Sequence, residues 1–377
     1  MFDYSKERIW AEVNLDHLAF TYRQIQKMAP GKKIMPVIKA DAYGHGAVQA
    51  AKTYKKEGAG YFAVATAKEA IELRDAGIKE PVLILAPVTG NCVKELISND
   101  IELCVPCMDA AEEYKKSAGG GHVKIHAKID SGMGRLGFSG VSDAENIASL
   151  ATDPSFIFRG IFTHFAASGE RDKYDFTMRQ HKIYSDIAAF LQSRGIQIPM
   201  LHCANSDAIV NFPEFTGNYV RPGIILYGYA SPSEKLLPLK PALSLLTRAL
   251  QVKWVEAGSP IGYSCTWTAQ KKTKVATLSA GYADGLPRSG SGKLEMIAKG
   301  VRVPIIGRVC MDMCMIDVTE VPDIKAGDVV TVVGEEQNAS VWMDELAEKS
   351  GTIPHEPLTQ LTKRVRRYYI SETGAPR

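Results

Sequence analysis

"IMPVIKADAYGHG", Ile34 to Gly46, begins as an apolar run of strand length and stops at a lysine, Lys39, followed by Tyr43 and by His45 between two glycines. Runs of the same kind recur: "KIMPVIKA", "GYFAVAT", "PVLILAP", "IELCV", "VKIHAKID", "FIFRGIFTHF", "PMLHCANS" and "NYVRPGIILYG". Between most of them lie amphipathic stretches, such as Ala65 to Ala76 and Tyr174 to Ser193, whose apolar residues return at helical spacing. The gap after Ser206 is short for a full helix. Near-continuous apolar strands alternating with helices imply a parallel sheet covered by helices, and eight such units close into a (β/α)8 TIM-like barrel of the α/β class. In such barrels the chemistry sits on the loops after the strand C-termini. Reading those ends in turn gives Lys39, Lys128 with Arg135, His164, Asn205 with Ser206, and Arg221.

After "ASPSEKLLPLKPAL" the texture changes to strand-like segments without regular helices, among them "LSLLTRALQVKWV", "IGYSCTW", "VPIIGRVCMDMCMIDV" and "DVVTVVGE". The expected organisation is a barrel over 1–235 and a mainly β domain over 236–377, with one helix at about Val341 to Ser350. A chain of 377 residues exceeds the ~250–300 at which a single core stops growing, which also argues for two domains. Hydrophobic residues at 45% and charged residues at 23% are the balance of a globular protein. A net charge of +3, without basic tracts interleaved with aromatics, gives no nucleic-acid footprint. The start lacks an apolar leader segment and no run reaches ~18 apolar residues, so the expectation is a cytosolic protein without membrane spans. Seven cysteines, with a lone C-x-x-C at Cys104 and Cys107, suggest reduced thiols and no structural metal.

An ammonium at the mouth of an apolar barrel is costly to desolvate unless paired or made neutral. Pairing with a nearby carboxylate such as Asp41 is one resolution. Another is a Schiff base to an aldehyde cofactor, pyridoxal phosphate, which also needs a phosphate anchor and a partner for its pyridine nitrogen. "CANSDA" sets Asn205 and Ser206 where a strand meets a helix N-terminus, suited to a phosphate or to plain helix capping. Gly223 allows close backbone approach to an anion, and Tyr43 can reach the same phosphate. Arg221 stays protonated at any relevant pH, so facing the pyridine nitrogen it keeps that nitrogen unprotonated and disfavours transamination. His164 can orient Arg221 or be a simple core histidine.

"VIKADAYGHG", "KIDSGMGRLG", "THFA", "HCANSDA", "VRPGIILYG", "GYSCTWTA", "GYADGLPR", "GRVCMDM" and "GTIPHE" occur in the order and approximate spacing of the bacterial alanine racemase family, which the whole chain resembles. The resemblance implies a barrel that binds pyridoxal 5'-phosphate (PLP) followed by a β domain, in a head-to-tail homodimer whose sites are each completed by the partner's β domain. It makes Lys39 the cofactor lysine and the base on the D-face, and Tyr263, from the partner, the base on the L-face. Arg135 then contacts the cofactor's phenolic oxygen and the substrate carboxylate, and Met311 meets that carboxylate with its backbone N–H. Tyr43, His164, Asn205, Ser206, Arg221, Gly223, Ile224 and His355 fall at the cofactor. Lys128 matches a lysine that CO2 carbamylates, giving an anion that holds the arginine.

Two positions depart from the family pattern. The family commonly reads "TINYE" where this chain has "TIPHE", so His355 replaces a tyrosine beside the substrate side chain and could admit a hydroxymethyl group. That opens serine, alone or with alanine, as substrate. Gly169 stands where an aspartate is common near the entrance. Three other readings compete: a PLP amino-acid decarboxylase, which Cys265 near Tyr263 keeps open; a non-catalytic PLP carrier; and a dinucleotide fold suggested by the G-x-G-x-x-G in "GMGRLG".

Overall fold

The structure is a computed structural model describing residues 4, 6–215, 217–230 and 238–371. The described residues form two compact units, one drawn from 18–42 and 47–240, the other from 1–17, 43–46 and 241–377.

The first unit is the expected barrel. Its strands are β1 (Lys33–Ile34), β2 (Phe62–Val64), β3 (Val82–Ile84), β4 (Ile101–Val105), β5 (Val123–Asp130), β6 (Phe156–Phe162), β7 (Met200–His202) and β8 (Tyr219–Val220). β2 to β7 pair in sequence order, all parallel, and β8 pairs in parallel with β1. Backbone bonds close the ring on both sides. Ile38 N–H donates to Ala63 O (2.9 Å) and Ala63 N–H to Pro36 O (3.0 Å); Asn218 N–H donates to Leu201 O (3.0 Å) and Arg221 N–H to Ala204 O (2.9 Å). Strands covered on both faces must be apolar throughout, and all of β2 and β3 are fully buried. Among the covering helices, Tyr174–Ser193 occupies its expected span, and the short gap after Asn205 holds the helix Ser206–Asn211.

The second unit is a nine-stranded sheet. Val329–Glu336 pairs with both Glu295–Ala298 and Leu243–Val255, which curls the sheet into an antiparallel barrel. The N-terminal strand Ile9–Asn14 lies between Leu243–Val255 and Arg366–Ile370, antiparallel to the first and parallel to the second. The β domain therefore draws on the start of the chain as well as its end, which a single division of the sequence does not express. The expected junction at 235/236 lies outside the described residues. The helix near the end is Met343–Ser350, because Val341 closes the strand Ala339–Val341, and a second short helix, His355–Thr359, follows it. Among the described residues no helix is long and apolar enough to cross a membrane.

Gly160 of β6 lies opposite Met200 of β7, where a Cβ would collide with the Met200 carbonyl and sit 2.8 Å from Met200 Cβ. Gly160→Ala should overpack this strand pair at a cost of about 1–3 kcal/mol, lowering the thermal midpoint by several degrees. An unchanged midpoint in a thermal melt contradicts this packing.

Candidate active site

Lys39 leaves β1's extension and enters an unusual turn. Ala40, Asp41, Ala42 and Tyr43 all have φ between 51° and 53°, a left-handed run without glycine. Such a conformation costs roughly 1–2 kcal/mol per residue, so the surroundings must impose it. Glu69 supplies much of the restraint. Its carboxylate accepts from Ala40 N–H (2.7 Å) and also from Ala65 N–H (2.8 Å) and Thr66 N–H (3.1 Å), the last as part of the capping box of helix Ala67–Asp75. Asp41 accepts from Ala47 N–H (2.8 Å), the first residue of the next helix. The carboxylate considered as a partner for Lys39 thus caps a helix instead.

Lys39 is half-buried, and its amine is held below the ordinary lysine value by desolvation and by the Arg135 guanidinium, with Glu69 opposing. Lys128 is 4% exposed and is pushed down to about 7, first by desolvation and then by Arg221 and Arg135. His164 is held well below the usual histidine range by burial and then by Arg221, Lys128, Arg135 and Lys39. The structure thus gathers all five of these predicted residues into one electropositive cluster at the strand ends. Phe162 lies beneath two of its charges, with Lys128 Nζ 5.2 Å and Arg221 Cζ 5.5 Å from its ring centre.

Arg221 is 4% exposed. Its Nη1 donates to the carbonyl and to Nδ1 (3.2 Å) of His202, and its Nη2 to Thr163 O (2.5 Å) and Cys203 O (3.3 Å). Burial lowers the guanidinium to about 10, so it remains a cation at neutral pH. The imidazole bonded to it is His202, not His164 as the sequence suggested. Beside it, Ser206 Oγ accepts from Gly223 N–H (2.9 Å), which leaves the hydroxyl hydrogen available to donate. Gly223 leads into the 3-10 turn Ile224–Tyr227, whose first N–H groups have no partner within the turn. Asn205 acts locally instead, its side chain capping Ser206–Asn211 through Ala208 N–H (3.0 Å) and accepting from Ser168 Oγ (2.8 Å). The Ser206 hydroxyl and the free N–H groups of the turn suit a bound phosphate, and a buried cation with no carboxylate ion pair among the described residues suits an unprotonated ring nitrogen. PLP fits the residues present.

The GMGRLG segment is not a dinucleotide loop. Asp130 accepts from Gly132 N–H (2.9 Å) and Gly134 N–H (3.1 Å), and after Gly137 the chain enters the short strand Phe138–Ser139 rather than a helix. The loop exposes Arg135.

The β unit holds the remaining predicted residues. Tyr43 is buried, its ring centre 5.7 Å from that of His355, and burial raises its phenol to about 12. The glycines around His45 are required there: a Cβ at Gly44 would strike the Leu358 carbonyl and one at Gly46 the Tyr369 hydroxyl. Tyr263 stands at the tip of a hairpin between Pro260–Ile261 and Trp267–Thr268. Ile261 and Trp267 anchor that hairpin in a cluster with Val275 and Ile306, while Tyr263 is 70% exposed. Met311 is 53% exposed, and its carbonyl is fixed by Ala283 N–H (3.0 Å).

Sequence reasoning missed Glu69, Glu102, His126 and His202. For the last three the available signal was polar residues inside otherwise apolar strands, as in "IELCV", "VKIHAKID" and "PMLHCANS".

The family profile described as alanine racemase, N-terminal domain, matches residues 13–231, and that described as alanine racemase, C-terminal domain, matches 242–369. The chain is 43% identical over 371 residues to the alanine racemase of Clostridium perfringens (strain SM101 / Type A), covering 96% of this chain and 95% of that one. To the alanine racemase of Methanococcus maripaludis it is 40% identical over 370 residues, covering 96% and 98%. A solved alanine racemase structure from Clostridium difficile 630 is similar with a TM-score of 0.93 and 37% identity, over 99% of this chain and 98% of that one.

Lys128 generates a pH signature. Between its folded value of about 7 and the unfolded value of about 10.4, the unfolded chain binds the proton and the folded chain does not, so raising pH favours folding. In CO2-free buffer, Lys128→Met should therefore be more stable than the parent below about pH 7, by on the order of 4 kcal/mol, and this advantage should shrink toward pH 10. Denaturant unfolding across pH measures it; a pH-independent difference contradicts the assignment.

Proposed function

The chain belongs to the alanine racemase family, and on that premise we propose that it interconverts L- and D-alanine by moving the α-proton between two bases on opposite faces. The observation that carries this reading is the Lys39 amine, half-buried beside Arg135 and thereby biased toward its neutral, proton-accepting form. Bound PLP supplies a conjugated ring that makes an amino acid's α-proton acidic. Lys39 Nζ would hold the cofactor and would take or return the proton on the D-face. Tyr263 of the partner subunit would serve the L-face, and its exposure at the tip of a hairpin with a packed base suits a residue that completes another chain's site. Exposed Met311 offers its backbone N–H to the substrate carboxylate in the same way.

The remaining roles are proposed from the family resemblance and the chemistry of each side chain. Ser206, Gly223 and Ile224 would hold the phosphate. Arg221, a cation at neutral pH, would face the ring nitrogen and keep it unprotonated, which would favour return of the proton to the α-carbon. Arg135 positions the substrate carboxylate. Lys128 at about 7 is about half free amine at neutral pH, the form that adds to CO2 with release of a proton, and the resulting carbamate anion would offset the crowding of Arg135 and Arg221. A head-to-tail homodimer is part of this reading. A broader racemase that also accepts serine is the second reading, favoured by His355 in place of a bulkier phenol next to Tyr43.

Polarimetry of the PLP-loaded protein should show L-alanine losing all optical rotation without CO2 release, with L-serine as the comparison substrate. Retained rotation or evolved CO2 defeats the proposal. The shared site has its own test. Lys39→Ala and Tyr263→Phe should each lower kcat by at least about 10²-fold. Mixing the two after subunit exchange should restore about a quarter of parental activity, because half of the dimers then carry one intact site in two. No recovery in verified heterodimers contradicts sites shared between chains.

A further inference from the structure

A line of buried polar groups runs through the barrel away from Arg221, and the mechanism above does not use it. His202 Nδ1 lies 3.2 Å from Arg221 Nη1, His202 Nε2 lies 3.0 Å from His126 Nδ1, and His126 Nε2 lies 2.7 Å from Glu102 Oε2. His126 and His202 are 0% exposed and Glu102 is 1% exposed. Tyr61 donates its hydroxyl to the same carboxylate, and Arg159 Nε donates to its other oxygen at 3.2 Å. Three different strands, β4, β5 and β7, each contribute one member.

Donor and acceptor chemistry gives this line a direction. A guanidinium has only donors, so His202 Nδ1 must accept and its proton must sit on Nε2. That proton points at His126 Nδ1, which therefore accepts, placing the His126 proton on Nε2. The His126 proton in turn points at a carboxylate, which accepts. Every N–H dipole is then aligned from the cation to the anion, an arrangement in which each bond strengthens the next. Among the described residues Arg221 has no direct carboxylate partner, so Glu102 is the negative end of its network.

We propose that Glu102, His126 and His202 are positioning residues that orient Arg221 and offset its buried charge through a one-directional chain of fixed tautomers. This deepens the racemase reading and rests on it for its functional consequence, not for its geometry. The protonation states agree. Burial holds both imidazoles below the usual histidine range. Burial alone would raise Glu102, but His126, Tyr61 and Arg159 together hold it below the usual carboxylate value. The other charges facing the line are Lys128, toward His202, and Arg74, toward Glu102. Arg74 is a cation and Lys128 as an unmodified amine is cationic or neutral, so neither favours an imidazolium; as a carbamate, Lys128 has its charge offset by Arg135 and Arg221.

The test is 15N NMR of the holoenzyme labelled at histidine, which reads tautomer and charge for each ring nitrogen. His126 and His202, assigned by single His→Phe replacement, should both be neutral Nε2–H tautomers from about pH 6 to about pH 9. An Nδ1–H tautomer at either, or formation of imidazolium in that range, overturns the proposal whether or not the protein racemises alanine. In Glu102→Gln the amide can donate as well as accept, so the signature should be lost as His126 shifts toward Nδ1–H. If the racemase reading holds, kcat should fall about 10–100-fold with KM nearly unchanged, and the absorbance of the bound cofactor should change its pH dependence. A folded Glu102→Gln protein with parental kcat and parental tautomers overturns the chain's role.

Discussion

A permanent positive charge sealed inside a barrel is the constraint on which the rest of the site depends. Arg221 is buried, and burial lowers its proton affinity without bringing it near neutrality. Two carbonyls at the strand ends, those of Thr163 and Cys203, and both the ring and the carbonyl of His202 take its N–H groups, which leaves the guanidinium fixed in one plane. Its field then reaches the neighbouring bases. Burial first and then the Arg221 charge hold His164 well below the usual histidine range and bias Lys128 toward the neutral amine, while at Lys39 burial and the Arg135 guanidinium act the same way. A lysine that must accept a proton is served by cations around it, and the barrel collects those cations at one face because all eight strands end there.

Positioning is the second demand on the fold, and backbone bonds meet it. The left-handed turn after Lys39 opposes ordinary residue preferences over four positions, yet three of its links are tied to Glu69, Asp41 and the Ile38 carbonyl. Lys39 therefore enters the site from a backbone with little freedom. The hairpin that carries Tyr263 follows the same logic in the β unit, where buried Ile261 and partly buried Trp267 fix the base of a loop whose tip stays exposed.

Much of this was legible in the sequence, and for identifiable reasons. All eight barrel strands were visible because strands covered on both faces largely exclude polar residues, and the strand-end polar residues stood out against them. The origin of the second unit was less legible: "IWAEVN" looks like any short strand, and nothing local says that it pairs with Leu243–Val255 across more than two hundred residues of chain. The identity of Arg221's imidazole partner was also hidden. His164 and His202 both follow apolar runs, and only the register, which sets Phe162 against His202, shows which ring lies within reach. Glu102 was missed because one glutamate in "IELCV" reads as a solvent-facing residue until the barrel closes around it.

The central claim is that the cation on β8's extension meets an unprotonated pyridine nitrogen. Solid-state 15N NMR of the protein loaded with ring-labelled PLP reads that nitrogen directly. The account predicts the chemical shift of a neutral pyridine accepting a hydrogen bond, unchanged through neutral pH; the shift of a protonated pyridinium would contradict it.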